Sequence, residues 1–200
     1  MLVVIDESLG AQRAVYGFEK PLLHVHSMTH RLTVEDCFAL LEFRGAADFI
    51  ELRTSAFIAV AYGCGAERHE ILALTRNDIQ ADALIQIRGR NERSVALPER
   101  AGQILRLYLE YVETMVGPND PIFCDVHGNP ISPAVINCAL TKRSRALGLP
   151  VTAGPRLLRA ACAAHLIANR MDIRAVATLL GMKHVNSVQV LIGAKGHDND

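Results

Sequence analysis

Two short alternating segments, ALIQIR and RSVAL around the turn GRNE, form the one clear strand signal in a chain of 200 residues. Their period of two and the polar turn between them predict a β-hairpin. Every other apolar pattern in the chain repeats at helical spacing, so the fold expected is mainly α with a small β-hairpin or sheet, of the α+β class. Half of the residues are apolar, which is enough for one genuine core, and one compact domain is the expectation.

The helices are marked by their ends. LTVEDCFALLEF opens with Thr33 three residues before Asp36, a capping-box spacing, and then sets Val34, Cys37, Phe38 and Leu41 on one face, which predicts a helix start near Thr33. ELRTSAFIAVAYGCG predicts an almost wholly apolar helix that Gly63 and Gly65 end, and ERHEILAL a short helix before the polar TRND. From Gln103 to Met115 the positions Ile104, Leu107, Tyr108, Tyr111 and Met115 form a stripe, ended by GPNDP. The loop CDVHGNPISP introduces a helix from Ala134 to Leu147, stopped by GLP. The stretch GPRLLRAACAAHLIANRMDIRAVATLLGMKHVNSVQVL, Gly154 to Leu191, reads as two amphipathic helices, each followed by a turn. No internal repeat or low-complexity segment interrupts this order. Residues 1–30 are expected to be a leader, partly ordered at most, residues 31–192 the domain, and residues 193–200 a flexible tail.

Lys+Arg and Asp+Glu are both 21, so the formal net charge is zero and any basic surface must be local. The five cysteines are odd in number, show no CxxC spacing and sit mostly among apolar residues, as buried thiols in a reducing compartment do. A cytoplasmic location is expected. MLVVIDESLG has too short an apolar run and no basic flank for a secretory signal, and no run of about 18 apolar residues exists for a membrane span. His24, His26 and His30 have the spacing of an HxH pair with a third ligand, but no cysteine or carboxylate completes a recognisable site. They read as loop or edge-strand histidines, and neither a metal nor a cofactor is expected.

Five stretches taken in order resemble the catalytic domain of the tyrosine recombinases, the phage integrase family. YGCGAERHEILALTRNDI is similar to that family's first box, IRGRNERSVALP to its hairpin, and PIFCDVHGNPIS to its loop with a phenylalanine and Gly-x-Pro. GPRLLRAACAAHL resembles the HxLRH box, and IRAVATLLGMKHVNSVQVL the Leu-Leu-Gly-His box with the nucleophile helix. The resemblance covers about Leu32 to Ile192.

The resemblance implies a transesterification, in which a tyrosine oxygen attacks a DNA phosphate in line, cationic side chains stabilise the equatorial oxygens and an acid protonates the leaving hydroxyl. Carried over position by position, the parts are altered here. The first arginine is Glu67, which reverses the charge. The hairpin lysine is Arg88, which keeps the charge but, as a guanidinium that is not deprotonated in proteins, cannot serve as a proton donor. In the HxLRH box the two histidines are Arg156 and Ala160, and only the arginine, Arg159, is kept. The histidine after Leu-Leu-Gly is Met182, the nucleophile is Leu191, and no tyrosine follows Tyr111. A carboxylate in place of a guanidinium about 4 Å from a phosphate turns attraction into repulsion of order 4 kcal/mol each way at an effective dielectric near 20. Arg159 apart, no catalytic position is therefore expected to be intact. Ser187, one turn before Leu191, is a conceivable shifted nucleophile, and the resemblance also allows a tyrosine delivered from another molecule, which would not cure Glu67.

Arg88, Arg156 and Arg159 either hold DNA phosphate or form ion pairs with Glu67 that close the old cleft. Lys142, Arg143 and Arg145 are either a solvated face or part of a DNA patch. Glu70 and Asp78 fit the first box as residues that fix local backbone and neighbouring arginines, and His165 fits a structural histidine of the family's helix. His184, two residues past Met182, should point elsewhere. Family members carry a helical domain before this one that completes a clamp around DNA, and only the leader precedes Arg31 here, so weak autonomous DNA affinity is expected. The chain also ends soon after Leu191, which makes exchange of a C-terminal segment between subunits an unexpected route of assembly. Three readings stand: a non-catalytic DNA-binding or accessory factor of recombination or a mobile element, partnered by DNA and by an active recombinase or other protein; an interaction module or remnant that no longer touches DNA; and an unorthodox active recombinase.

Overall fold

The computed structural model describes residues 31–42, 48–80 and 83–193, together with the backbone of two short strands at residues 2–5 and 14–16. His24, His26 and His30, the rest of the leader and residues 194–200 lie outside the described residues, and the expectations placed on them stay untested.

Helix α1 (Val34–Leu41) starts where its capping box places it: the Asp36 N–H donates to Thr33 Oγ1 at 3.1 Å and the Thr33 N–H to Asp36 Oδ2 at 2.9 Å. Helix α2 (Phe49–Gly63) is buried at every position from Leu52 to Gly63. A helix apolar all round has to be wrapped on all sides. Around α2 pack α1, the short α3 (Arg68–Leu72), α4 (Glu99–Tyr111), α5 (Pro133–Ala146) and α6 (Pro155–Ala168). Inside this shell Phe57 meets Phe123 edge-on with centroids 5.6 Å apart, and Phe123 stacks on Tyr108, whose hydroxyl donates to the Ile122 carbonyl at 2.8 Å.

The predicted hairpin is present, with β3 (Leu84–Ile87) antiparallel to β4 (Arg93–Ala96) and Ile87 opposite Arg93. The sheet is larger than the alternation suggested. In the leader, β1 (Leu2–Ile5) pairs with β4 and β2 (Ala14–Tyr16) with β1, giving the antiparallel order β2-β1-β4-β3. Strands of four and three residues, one of them an unbroken apolar run, offer no period-two signal to read.

Two boundaries also shift. Helix α4 begins at Glu99, directly after Pro98, four residues before the apolar stripe that announced it. The last stretch holds three helices instead of two: α6, then α7 (Ile173–Leu179), then α8 (Val185–Leu191). Arg170 at φ 64° ends α6, and Gly181 at φ 67° ends α7, where the Met182 N–H returns to the Ala177 carbonyl at 2.8 Å. Cys37, Cys64, Cys124 and Cys162 are buried free thiols, whereas Cys138 is exposed on α5, unlike the others. Among the described residues no helix is long and apolar enough to cross a membrane.

Candidate functional site

The loop between α2 and α3 begins the site. Gly65 turns it at φ 59°, and a Cβ there would come within 2.2 Å of Leu180 Cδ2, so only glycine lets this loop lie against the end of α7. Two residues on stands Glu67, whose backbone N–H donates to Glu70 Oε2 at 2.7 Å and so fixes the start of α3. Glu70 is buried and accepts a two-pronged interaction from Arg93 of β4, at 2.8 and 2.9 Å. Arg93 in turn donates from Nε to the Leu179 carbonyl at 2.8 Å, tying the hairpin to α7.

Arg159 reaches the same place from α6. It is 4% exposed, and its guanidinium donates to the Gly65 carbonyl at 2.5 Å and the Leu180 carbonyl at 2.9 Å. Its Nη2 lies 3.3 Å from Glu67 Oε1 and its Nη1 3.9 Å from Glu70 Oε2, so the expected pairing of Glu67 with a box arginine is formed by Arg159. Two carboxylates face two guanidiniums, and the group is formally neutral. Burial pushes the Glu70 carboxyl upward, but hydrogen bonds from Arg93 and the Glu67 N–H, with the charges of Arg93 and Arg159, hold it below the ordinary carboxylate range. Burial lowers the Arg159 pKa, and the Glu67 charge opposes that effect. The other Glu67 oxygen, Oε2, is 3.4 Å from Nδ1 of the exposed His69.

The remaining positions of the resemblance are scattered around this quartet. Arg156, in the first turn of α6, is exposed and has no carboxylate within 4.0 Å among the described residues. Ala160 offers no polar group. Arg88 is exposed at the hairpin end and pairs with the buried Asp78, which also accepts from the Thr75 N–H at 2.9 Å and hydroxyl at 2.7 Å. Glu70 and Asp78 thus hold backbone and arginines, as their positions suggested. Met182 and Leu191 are half-buried and pack against the core. Ser187 is exposed, and His184 is the exposed N-cap residue of α8, making no capping bond. His165 meets the Tyr62 hydroxyl at 2.9 Å through Nδ1, and burial lowers its pKa.

Two of the cations read as DNA-binding candidates are structural. Arg143 is 6% exposed and donates to the Leu40 carbonyl at 3.0 Å, Ser55 Oγ at 2.7 Å and both the carbonyl and the carboxylate of Glu51. It belongs to the buried stripe Ile136, Leu140, Arg143 and Ser144 of α5, and only its neighbours Lys142 and Arg145 are exposed. Arg159 is the second, 4% exposed with Nη1 and Nη2 each donating to a backbone carbonyl. Conversely, exposed cations at Arg68, Arg90 and Lys183 escaped the sequence reading. Lys183 had a signal in a partition of charge hidden by the zero total: from Val126 to Gly193 there are eight Lys and Arg residues and one carboxylate, Asp172, whereas Arg68 and Arg90 lie outside that segment. Among the described residues no group of three or more His, Cys, Asp or Glu is placed to hold a metal ion.

Comparison with known proteins bears on this geometry. The profile described as "Phage integrase family" matches residues 30–192. The tyrosine recombinase XerC of Methylobacterium sp. (strain 4-46) is 33% identical over 147 residues, which cover 72% of this chain and 46% of that protein. The chain spans about half the length of the curated relatives it matches. The crystal structure of XerA recombinase superposes with a TM-score of 0.74 at 22% identity, over 89% of this chain and 62% of that one. The Tn1549 transposon integrase in complex with a circular intermediate DNA gives 0.69 at 15% identity, over 82% and 62%. These two likenesses are of fold.

Proposed function

Because the chain belongs to the phage integrase family, we propose that it is a non-catalytic member, one that holds DNA without cutting it and serves as an accessory or regulatory factor in recombination or a mobile element. The observation that carries this reading is the pairing of Arg159 with Glu67 at 3.3 Å. A guanidinium that stabilises a transferring phosphoryl group must present free donors to the equatorial oxygens. Arg159 instead spends its donors on two backbone carbonyls and stands between two carboxylates. Attack also requires a nucleophilic oxygen at the end of α8, and Leu191 supplies a hydrocarbon side chain packed on the core. Arg88 is drawn to Asp78, and neither Ala160 nor Met182 can donate or accept a proton.

The backbone framework that would present these groups is intact. Gly65, Arg93 and Leu180 still bring α3, the hairpin, α6 and α7 to one point. Fold without chemistry is what a DNA-binding accessory needs. Non-covalent binding to duplex DNA should weaken steeply as salt rises, because phosphate contacts release counterions. Glu67→Arg should tighten it by removing a negative charge and supplying a positive one. Mobility shifts of both proteins across a salt series test this. Salt-independent retention, or no binding by either protein at low salt, would replace this reading with an interaction module that does not touch DNA.

A further inference from the structure

The self-neutralised quartet is surrounded by charges of a different kind. Four segments converge on it: the start of α3 through Glu67, the turn between β3 and β4, the first turns of α6 through Arg159, and the turn between α7 and α8. The β3–β4 turn and the α7–α8 turn touch closely, since a Cβ on Gly181 would stand 2.9 Å from Asn91 Cβ and 2.9 Å from Arg93 Nη1. Each segment carries an exposed cation: Arg68, Arg90, Arg156 and Lys183 in that order. None of the four has a carboxylate within 4.0 Å among the described residues. The carboxylates on the same segments are already engaged: Glu67 with Arg159 and His69, Glu70 with Arg93, and Glu92 with the Gln86 amide at 3.0 Å.

The interior cations here are paired, as is Arg88 at the hairpin end, and these four rim cations are not. We infer that Glu67 is a resident anion that occupies Arg159 from within, and that the sugar-phosphate backbone of duplex DNA is gripped around the pocket, by Arg68, Arg90, Arg156 and Lys183, instead of inside it. This rests on the DNA-holding function proposed above and adds where the contacts lie. An exposed arginine or lysine with no internal partner keeps its whole charge for a phosphate and loses no ion pair on binding. Arg159 would have to give up Glu67 first. The rim would therefore place the duplex over the pocket with no phosphate seated in it, which explains binding without strain toward cleavage.

The slope of log K against log salt counts the contacts. For duplex DNA measured by fluorescence anisotropy, replacing Arg90, Arg156 and Lys183 by serine should flatten the slope by about 2.7 in total, at about 0.9 per lost phosphate contact. The three side chains are exposed and outside every ion pair described, so the melting temperature of the variant should match that of the unmodified protein. Glu67→Ala should steepen the slope by about 0.9, because Arg159 then opens to one phosphate. Arg170→Ser with Arg174→Ser is the control. Arg170 follows the other end of the 14-residue α6, about 20 Å from Arg156, and Arg174 stands at the start of α7 beyond it; both are exposed and should leave the slope unchanged. Binding whose slope ignores the rim variant, or falls equally with the control pair, overturns the inference while leaving the DNA-holding function in place. Absence of binding by the unmodified protein overturns both.

Discussion

At the scale of single residues, the four charges around Glu70 decide the most. Removing one member of a buried, hydrogen-bonded ion pair strands the other, at a cost of about 3–5 kcal/mol. Glu70→Gln should therefore lower the urea midpoint strongly, since Glu70 and Arg93 are each only 7% exposed at the side chain. Arg88→Ala should cost about 1–3 kcal/mol, less than the Glu70 change because the arginine is 64% exposed, but more than a surface pair because it leaves the Asp78 carboxylate, only 4% exposed, without its cation. Acid should act on the fold in two stages. Burial depresses the His165 pKa below its ordinary 6.5, so the unfolded chain takes up that proton first, and stability is full above pH 6.5 and declines below it. The depressed Glu70 contributes stability that is present above its ordinary 4.5 and is lost as pH falls through its folded value. Melting temperatures from pH 7.5 to 4 should fall in both windows, and His165→Phe should flatten the first. A flat profile between pH 6.5 and 5 for the unmodified protein would contradict the placement of His165. At this scale the sequence was read well at Glu67 and Arg159 and poorly at Arg143, where three adjacent cations look alike until the phase of α5 shows which one turns inward.

At the scale of elements, the glycine turns set the geometry. Gly65 combines a positive φ with an approach to Leu180 that leaves no room for a methyl group. Gly65→Ala should destabilise the fold by roughly 1–3 kcal/mol through overpacking, with backbone strain in addition. Denaturant unfolding of this one variant checks the contact on which the site is built. Elements with local signals were legible: the capping box of α1, the apolar length of α2 and the alternation of β3 and β4 all lay in contiguous sequence. What was missed depends on partners distant in the chain or on single turns. Strand β1 exists through pairing to β4, about ninety residues away, β2 through pairing to β1, and α7 separates from α8 where Gly181 takes a left-handed conformation.

At the scale of the whole molecule, a zero net charge conceals an uneven distribution. The segment from Val126 to Gly193 is strongly basic and the remainder offsets it, so the field that a polyanion meets depends on the face it approaches. The same view explains why the family was legible while the fate of its chemistry had to be argued. The five boxes carry the packing residues and turns that build the fold, while the proposed loss of chemistry rests on single polar positions such as Glu67 and Leu191. In the proposed function the framework is kept and the reaction lost. This reading is tested most directly by incubating the purified protein with a nicked suicide DNA substrate and separating covalent adducts on a denaturing gel. The account predicts no adduct for the unmodified protein and none for Leu191→Tyr, because Glu67 still occupies Arg159 and positions 156, 160 and 182 still lack histidine. A denaturation-stable protein–DNA adduct formed by the unmodified protein would contradict it.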